Sequence, residues 1–368
     1  MKNPNDNSAA PSPLSFGEGQ GVRTEIAQGL ILVTGGCGYI GSHTIVDLVS
    51  KGFDVISIDN FSRSDKKILN GIKKITGKEI RNYPIDLCDA ETTKKIFEEN
   101  KNIKGIIHFA AYKSVGESVE QPLLYFRKNL ISLINILNCA VEFNIPNFIF
   151  SSSCAVYGNV NVLPVNEETP MSEAESPYGR TKQMGEKMIF DLSKSCSTRF
   201  VSLRYFNPVG AHPSAEIGEL PIGKPSNLFP SICNSALGKM NELTVHGNDY
   251  PTPDGSCIRD YIHVCDIAEA HSLALEYLMK NNSSDKENNS EIINLGSGKG
   301  NSVLEVIHAF ERVTGEKLNY KIGPRRAGDV VSIFSDNKKA QEKLGWKNLK
   351  SLDEMISTAW KWTKKISG

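Results

Sequence analysis

Residues 30–44 read LILVTGGCGYIGSHT, and this stretch decides the fold. Leu30 to Thr34 form a short apolar run of the kind that makes a buried strand. Gly35, Gly38 and Gly41 follow at G-x-x-G-x-x-G spacing, and from residue 40 to 50 the apolar residues recur with helical period. A strand, a glycine turn and a helix in that order give such a match its meaning. One glycine permits the tight turn, one lets backbone N–H groups approach a pyrophosphate, and one lets helix and strand pack closely. The helix N-terminus then faces the phosphates.

Working outward, similar apolar runs occur at 54–58, 105–109, 147–151 and 200–204, separated by segments of helical period such as 129–143. Strands apolar throughout are covered on both faces, as in a parallel sheet. The alternation predicts an α/β fold, a Rossmann-type doubly wound parallel sheet over 29–207. Segment 208–262 is rich in Pro, Gly and Asn and reads as loops and short elements over the carboxyl edge of the sheet. Helix-like 264–280 and strand-like 291–295 resume the alternation, so 264–296 is expected to rejoin the sheet. The rest of 208–368 reads as a smaller C-terminal α/β substrate-binding domain.

Lys plus Arg and Asp plus Glu stand at 42 each, so bulk charge gives no argument for a nucleic-acid partner or an anionic membrane surface. No apolar run approaches the roughly 18 residues that would span a bilayer. Eight scattered cysteines, with no C-x-x-C and no His/Cys cluster of metal-binding type, read as reduced thiols of a cytoplasmic protein. Residues 1–28, rich in Asn, Ser, Pro and Gly, read as a disordered extension. The tract NNSSDKENNS at 281–290 reads as a solvated loop.

The second strand, DVISIDN, ends in Asp59, about 20 residues past the last glycine. A carboxylate there accepts from adenosine ribose hydroxyls and repels a 2′-phosphate, which favours NAD over NADP; the nearby Arg63 keeps NADP in view. Asp86 ends a third strand, RNYPIDL, where facing the adenine and capping a helix fit the spacing equally.

Tyr178 and Lys182 form Y-x-x-x-K in SPYGRTK, a spacing that puts both on one helix face. A free tyrosine has a pKa near ~10, and an ammonium beside it favours the phenolate. Two surface residues at helical spacing would look the same. The odds move because a serine-rich strand end, FSSSCAVYG, puts Ser153 25 residues ahead of Tyr178. A hydroxyl at the carboxyl end of a strand points into the ligand crevice, where it can assist proton transfer.

Together, TGGCGYIGSHT, HFAAYKSVGES, FSSSCAVYG, SPYGRTK, LRYFNPVGAHPS, HGNDYPTPDGSCIRDYIHV and PRRAGD resemble the UDP-glucose 4-epimerases, from about residue 30 to the C-terminus. The resemblance implies an NAD site formed by Gly35, Gly38, Tyr39, Ile40, Gly41, Asp59, Asn60, Asp86 and Leu87. Phe109, Ala110, Ala111, Lys113, Asn129, Ser151, Ser152 and Tyr205, with Tyr178 and Lys182, would complete it. It implies a UDP-sugar site of Lys113, Ser153, Tyr178, Phe206, Asn207, Asn227, Leu228, Thr244, Val245 and His246. Arg259, Tyr261, Arg326, Asp329 and Ile333 belong to the same set. Planar guanidiniums suit bidentate diphosphate binding, although arginines in surface salt bridges are common. Lys113 reads equally as a solvated loop lysine.

The implied reaction has Tyr178 take the proton of the sugar 4-hydroxyl while hydride passes from C4 to NAD. The 4-keto sugar turns about its diphosphate link, and hydride returns to its other face. A 4,6-dehydratase would carry adjacent Asp and Glu after the serine, where this chain has Cys154 and Ala155, and nothing supplies the extra charge a uronic-acid epimerase needs. A non-catalytic binder would have lost Ser153, Tyr178 or Lys182. Ile333 stands where a large side chain restricts such pockets to plain hexoses and a small one admits N-acetyl hexoses, so both substrates stay open. The resemblance also implies a homodimer, to which the apolar helix 130–143 would contribute; an internal packing face fits that pattern equally.

Overall fold

The glycine turn joins β1 (Leu30–Thr34) to α1 (Tyr39–Ser50) in a computed structural model that describes residues 29–220, 223, 227–281, 289–326 and 329–368. The expected N-terminal extension, and residues 282–288 of the loop tract, lie outside the described residues. Gly35 sits at φ +69°, a region an L side chain resists, and its N–H donates to the carbonyl of Ile58 at 2.7 Å. That bond ties the turn to the next strand.

The chain continues through β2 (Asp54–Ile58), α2 (Lys67–Thr76), β3 (Arg81–Tyr83), α3 (Ala90–Glu99) and β4 (Ile103–His108). Then come α4 (Val115–Glu120), α5 (Pro122–Glu142), β5 (Asn147–Ser153), α6 (Pro177–Ser193) and β6 (Arg199–Tyr205). Later elements are β7 (Asn207–Val209), α7 (Leu228–Ala236), β8 (Leu243–His246), β9 (Ile258–His263) and α8 (Val264–Lys280). The chain closes with β10 (Ser290–Leu295), β11 (Gly300–Ser302), α9 (Val303–Thr314), β12 (Tyr320–Gly323), β13 (Ser332–Ile333), α10 (Lys338–Leu344) and α11 (Leu352–Ser367).

Seven strands form one sheet in the order β10-β6-β5-β4-β1-β2-β3, every pair parallel. The order reverses beside β1, where β2 and β4 diverge to either side, and in open α/β sheets a ligand crevice opens at such a point. The sheet separates two apolar layers. One gathers Ile31, Val33 and Ile107 with Ile45 and Leu48 of α1 and Leu275 of α8; the other gathers Leu32, Ile106 and Phe148 with Leu133 and Ile136 of α5. Both faces are therefore dry, which is why these strands read as unbroken apolar runs.

Beyond the carboxyl edge, β7, β9, β11 and β13 make a small mixed sheet, and β8 pairs with β12. Their apolar sides pack with α7, α9 and α11 around Phe229, Tyr261, Phe310 and Trp360. Segment 208–262 thus holds a nine-residue helix and the central strand β9, more order than its composition suggests. No helix among the described residues is long and apolar enough to cross a membrane.

Candidate active site

A cleft of about 400 Å³ runs along the carboxyl ends of β1, β2, β4, β5 and β6 and under β9 and β13. At one end the glycine turn supplies Gly35, Gly38, Tyr39, Ile40 and Gly41 to its wall. A Cβ at Gly41 would run into the carbonyl oxygen of Gly35, and one at Gly35 would press on the main chain of Ala110, so bare backbone shapes this end. Asp59 stands beside it, one carboxylate oxygen taking the Cys37 N–H at 3.0 Å and the other the Ser64 hydroxyl at 2.7 Å. A cradle of main chain with a carboxylate at the end of β2 fits a dinucleotide with free ribose hydroxyls. Arg63, the group that kept a 2′-phosphate in view, is turned to Glu117 at 2.6 Å and lies over the Tyr112 ring.

Asn60, Asp86, Leu87, Phe109, Ala110 and Ala111 also line this end. Asp86 corrects one expectation: β3 stops at Tyr83, and the residue that caps α3 is Asp89, which accepts from the Thr92 N–H at 3.1 Å. Asp86 instead accepts from the Cys88 N–H at 3.0 Å and pairs with Lys128 at 2.5 Å. Asn129 does not reach the cleft wall. Its amide is consumed in clamping the main chain of Tyr112 on both sides, at 2.8 and 3.0 Å, and in meeting the Thr181 hydroxyl at 3.1 Å.

In the middle of the cleft, α6 begins with Ser176 capping the Gly179 N–H and Pro177 in the first turn, which fixes where the helix starts. Tyr178 and Lys182 follow on its buried face, with Ser153 opposite at the end of β5. The Lys182 ammonium donates to the carbonyl of Ser151 at 2.5 Å and lies 5.9 Å from the centroid of the Tyr178 ring. The strand alternates: Ser151 and Ser153 line the cleft, Ser151 meeting the Tyr205 hydroxyl, whereas Ser152 points away to Glu186 at 2.5 Å. Ser152 is therefore corrected from a lining residue to a supporting one.

Burial governs the ionisation of this centre. It pushes the Tyr178 phenol up to about 12, opposed by a hydrogen bond with Ser153, and brings Lys182 down to about 7, opposed by the charge of Glu186. The expectation was that the ammonium, with the charge of NAD adding to it, brings the phenol down; among the protein's own groups burial is the largest influence and pushes it up.

At the far end, Arg259 and Arg326 converge on Asp329, at 3.5 and 2.8 Å. The register that pairs Ile333 of β13 with Arg259 of β9 brings these sequence-distant groups together. Phe206 and Asn207 form the floor between the two ends, and Ile333 is buried against Phe206, Val156 and Tyr157. Lys113 and Asn227 meet over one carboxylate, Glu219, at 3.0 and 2.9 Å, a bridging residue the sequence reading did not find. Leu228, Thr244, Val245, His246 and Tyr261 are absent from the described wall. Val245 and Tyr261 are in the apolar cluster around Phe310 with Leu228 packed against it, Thr244 pairs with Lys321, and His246 meets the Pro324 carbonyl.

A parallel sheet with a glycine cradle, and a serine, tyrosine and lysine converging in its cleft, defines an extended short-chain dehydrogenase/reductase. The family model for GDP-mannose 4,6 dehydratase matches residues 32–359. A UDP-glucose 4-epimerase of Schizosaccharomyces pombe is 46% identical over 93% of this chain and 96% of its own length. The crystal structure of UDP-glucose 4-epimerase from Stenotrophomonas maltophila, with bound NAD and formylated UDP-arabinopyranose, superposes with a TM-score of 0.87 at 43% identity, covering 92% of this chain and 99% of that one. The enzyme from Bifidobacterium longum in complex with NAD+ and UDP gives 0.87 and 43%, covering 91% and 98%. The chain belongs to the UDP-glucose 4-epimerase family.

Proposed function

We propose that this chain inverts C4 of a UDP-hexose, interconverting UDP-glucose and UDP-galactose, with NAD held in the glycine cradle. The observation that carries the reading is a single cleft joining that cradle, the Tyr178–Lys182–Ser153 centre and the Arg259–Asp329–Arg326 cluster. The relatives bound to NAD, UDP or a UDP-sugar support it.

Bound beside Gly35, Gly38, Gly41 and Asp59, NAD supplies reversible acceptance of hydride from carbon. Tyr178 takes the proton of the 4-hydroxyl as that carbon is oxidised, and returns it afterwards. Ser153, across the cleft from Tyr178 at the end of β5, holds the hydroxyl being deprotonated. Lys182, fixed on the Ser151 carbonyl, stabilises the phenolate by its charge. Arg259 and Arg326 grip the diphosphate, which leaves the sugar as the part that turns. Cys154 and Ala155 offer no carboxylate to expel water, which separates the reading from the dehydratase chemistry named by the family model.

Residues 29–207 with 264–296 form the cofactor domain in this reading, and 208–368 mainly the UDP-sugar domain, with α10 and Trp346 lying against the cofactor side. Isoleucine at 333 leaves room for N-acetylated substrates beside plain hexoses. A homodimer through α5 and α6 is supported by the apolar residues they expose, Leu123, Ile131, Ile134 and Val141 on one and Met184 and Phe190 on the other. The reading carries with it a cytoplasmic location, where the eight thiols stay reduced.

The test feeds UDP-galactose to the purified protein and oxidises the product with a UDP-glucose-specific dehydrogenase read at 340 nm. The parent turns over, and Tyr178→Phe loses about 10²- to 10⁴-fold with its NAD content unchanged. A parent that holds NAD and converts nothing would sink the proposal.

A further inference from the structure

The stripe that carries Tyr178 and Lys182 along α6 continues for one more turn. Residues four apart share a helix face, and four after Lys182 comes Glu186, buried like both. Its carboxylate is fully engaged. Arg204 on β6 reaches it with Nε at 2.9 Å and Nη2 at 2.6 Å, and the Ser152 hydroxyl of β5 donates at 2.5 Å. One carboxylate thus fixes the helix against the two strands whose ends carry Ser151, Ser153 and Tyr205.

Such a pair is expensive to bury. The arginine and glutamate side chains are only 2% and 3% exposed, and desolvating two charges cancels most of their attraction. An apolar pair of the same size would hold α6 on the sheet about as well. What distinguishes this pair is its place one turn beyond Lys182. Burial drives that lysine towards its neutral form, and the charge of Glu186 opposes the drive.

We infer that Glu186, held by Arg204 and Ser152, is a positioning residue for Lys182: it keeps the ammonium protonated and seated on the Ser151 carbonyl, so that Tyr178 can release its proton. The other ionisable groups around the lysine do not fill this role. On α6 Tyr178 is itself the partner, His108 on β4 is held neutral by burial, and Tyr205 on β6 is pushed up by burial. Lys128 on α5 is turned to Asp86, and Glu117 on α4 to Arg63. Arg204 has the wrong sign, and Glu186 masks it.

The inference rests on Tyr178 being the base. The test is the pH profile of kcat on UDP-galactose in the holoenzyme, with the tyrosinate absorbance of Tyr178 near ~295 nm taken as a difference against Tyr178→Phe. In Glu186→Gln, kcat at neutral pH falls about tenfold with KM within about twofold, and the alkaline limb moves down by about one pH unit. Tyr178 then ionises at higher pH, having lost the cation beside it. Glu186→Gln/Arg204→Gln, which leaves neither charge unpaired, keeps the displaced limb, and Glu186→Asp restores the parent profile. A double variant whose limb and Tyr178 titration coincide with the parent's, or loss of folded protein in every variant, overturns the inference and leaves the pair purely structural. A parent without turnover would sink the base assignment instead; a working parent with unmoved variants sinks only the role of Glu186.

Discussion

Lys182 donates to the main-chain carbonyl of Ser151 at 2.5 Å, a bond across from α6 to β5. The ammonium is therefore located by backbone, which cannot swing away as a side-chain partner would. Replacing it with methionine keeps the volume and removes the charge that favours the phenolate. Lys182→Met is expected to lose about 10²- to 10³-fold in kcat, with KM for the nucleotide sugar little changed. Lys182→Arg should not rescue it, because a guanidinium is too broad for the slot beside the Phe150 and Tyr178 rings. Steady-state kinetics on the three proteins checks both expectations.

Arg259 meets Asp329 at the far end of the cleft, away from the reacting carbon. In the proposed reading it holds the diphosphate, a contact that would be the same in ground and transition states, so its loss would act on binding. Arg259→Leu should raise KM about 10- to 100-fold while kcat stays within a few-fold. Titration with UDP alone gives the same loss of affinity without turnover.

Ile333 is packed among Phe206, Val156 and Tyr157, at the side of the cleft that carries the sugar in the proposed reading. A larger ring there takes space from a 2-N-acetyl group before it obstructs a plain hexose. Ile333→Tyr is expected to lower the rate on UDP-N-acetylgalactosamine at least about tenfold relative to that on UDP-galactose. Equal losses on both substrates would mean that this residue is no gate.

Four buried histidines contribute to the response to acid. Burial brings His43 and His108 to about 3, and His263 and His271 to about 4, from an ordinary 6.5. Their folded values lie below the unfolded one, so the stability they contribute is fully present above pH 6.5 and is lost as pH falls towards 4. The melting temperature should fall by on the order of ten degrees between pH 7 and pH 5. His43→Asn, which cannot take up a proton there, should flatten part of that slope in a thermal melt series.

The seven-stranded sheet and its helices were legible because their signals are local. A dry strand and an amphipathic helix announce themselves in ten residues, and the limits of β1 and β2 and of α8 agree with the expected 30–34, 54–58 and 264–280. The small sheet beyond the carboxyl edge was not, because its order is non-local. Strand β9 has meaning only through β7, β11 and β13, each two or three residues long, and composition gives no hint of such pairings. The meeting of Arg259 with Asp329, 70 positions apart, follows from that register.

Within the site, errors came from direction. Ser151 and Ser152 were both expected on the cofactor, yet strand alternation lets only every second residue face the cleft. Asn129 was expected on the wall and instead braces the segment at Tyr112 from behind. Glu186 carried a readable signal, a third ionisable residue at the spacing of Tyr178 and Lys182, but its partner Arg204 lies on strand β6 and became visible only in three dimensions.

In the proposed reaction, oxidation at C4 is undone at the same carbon within one turnover. UDP-galactose deuterated at C4 tests it most directly, with the product read by mass spectrometry and proton NMR. UDP-glucose that keeps the deuterium at C4 without exchange with water is the expected product. Product with hydrogen at C4, or deuterium moved to another carbon, would contradict it.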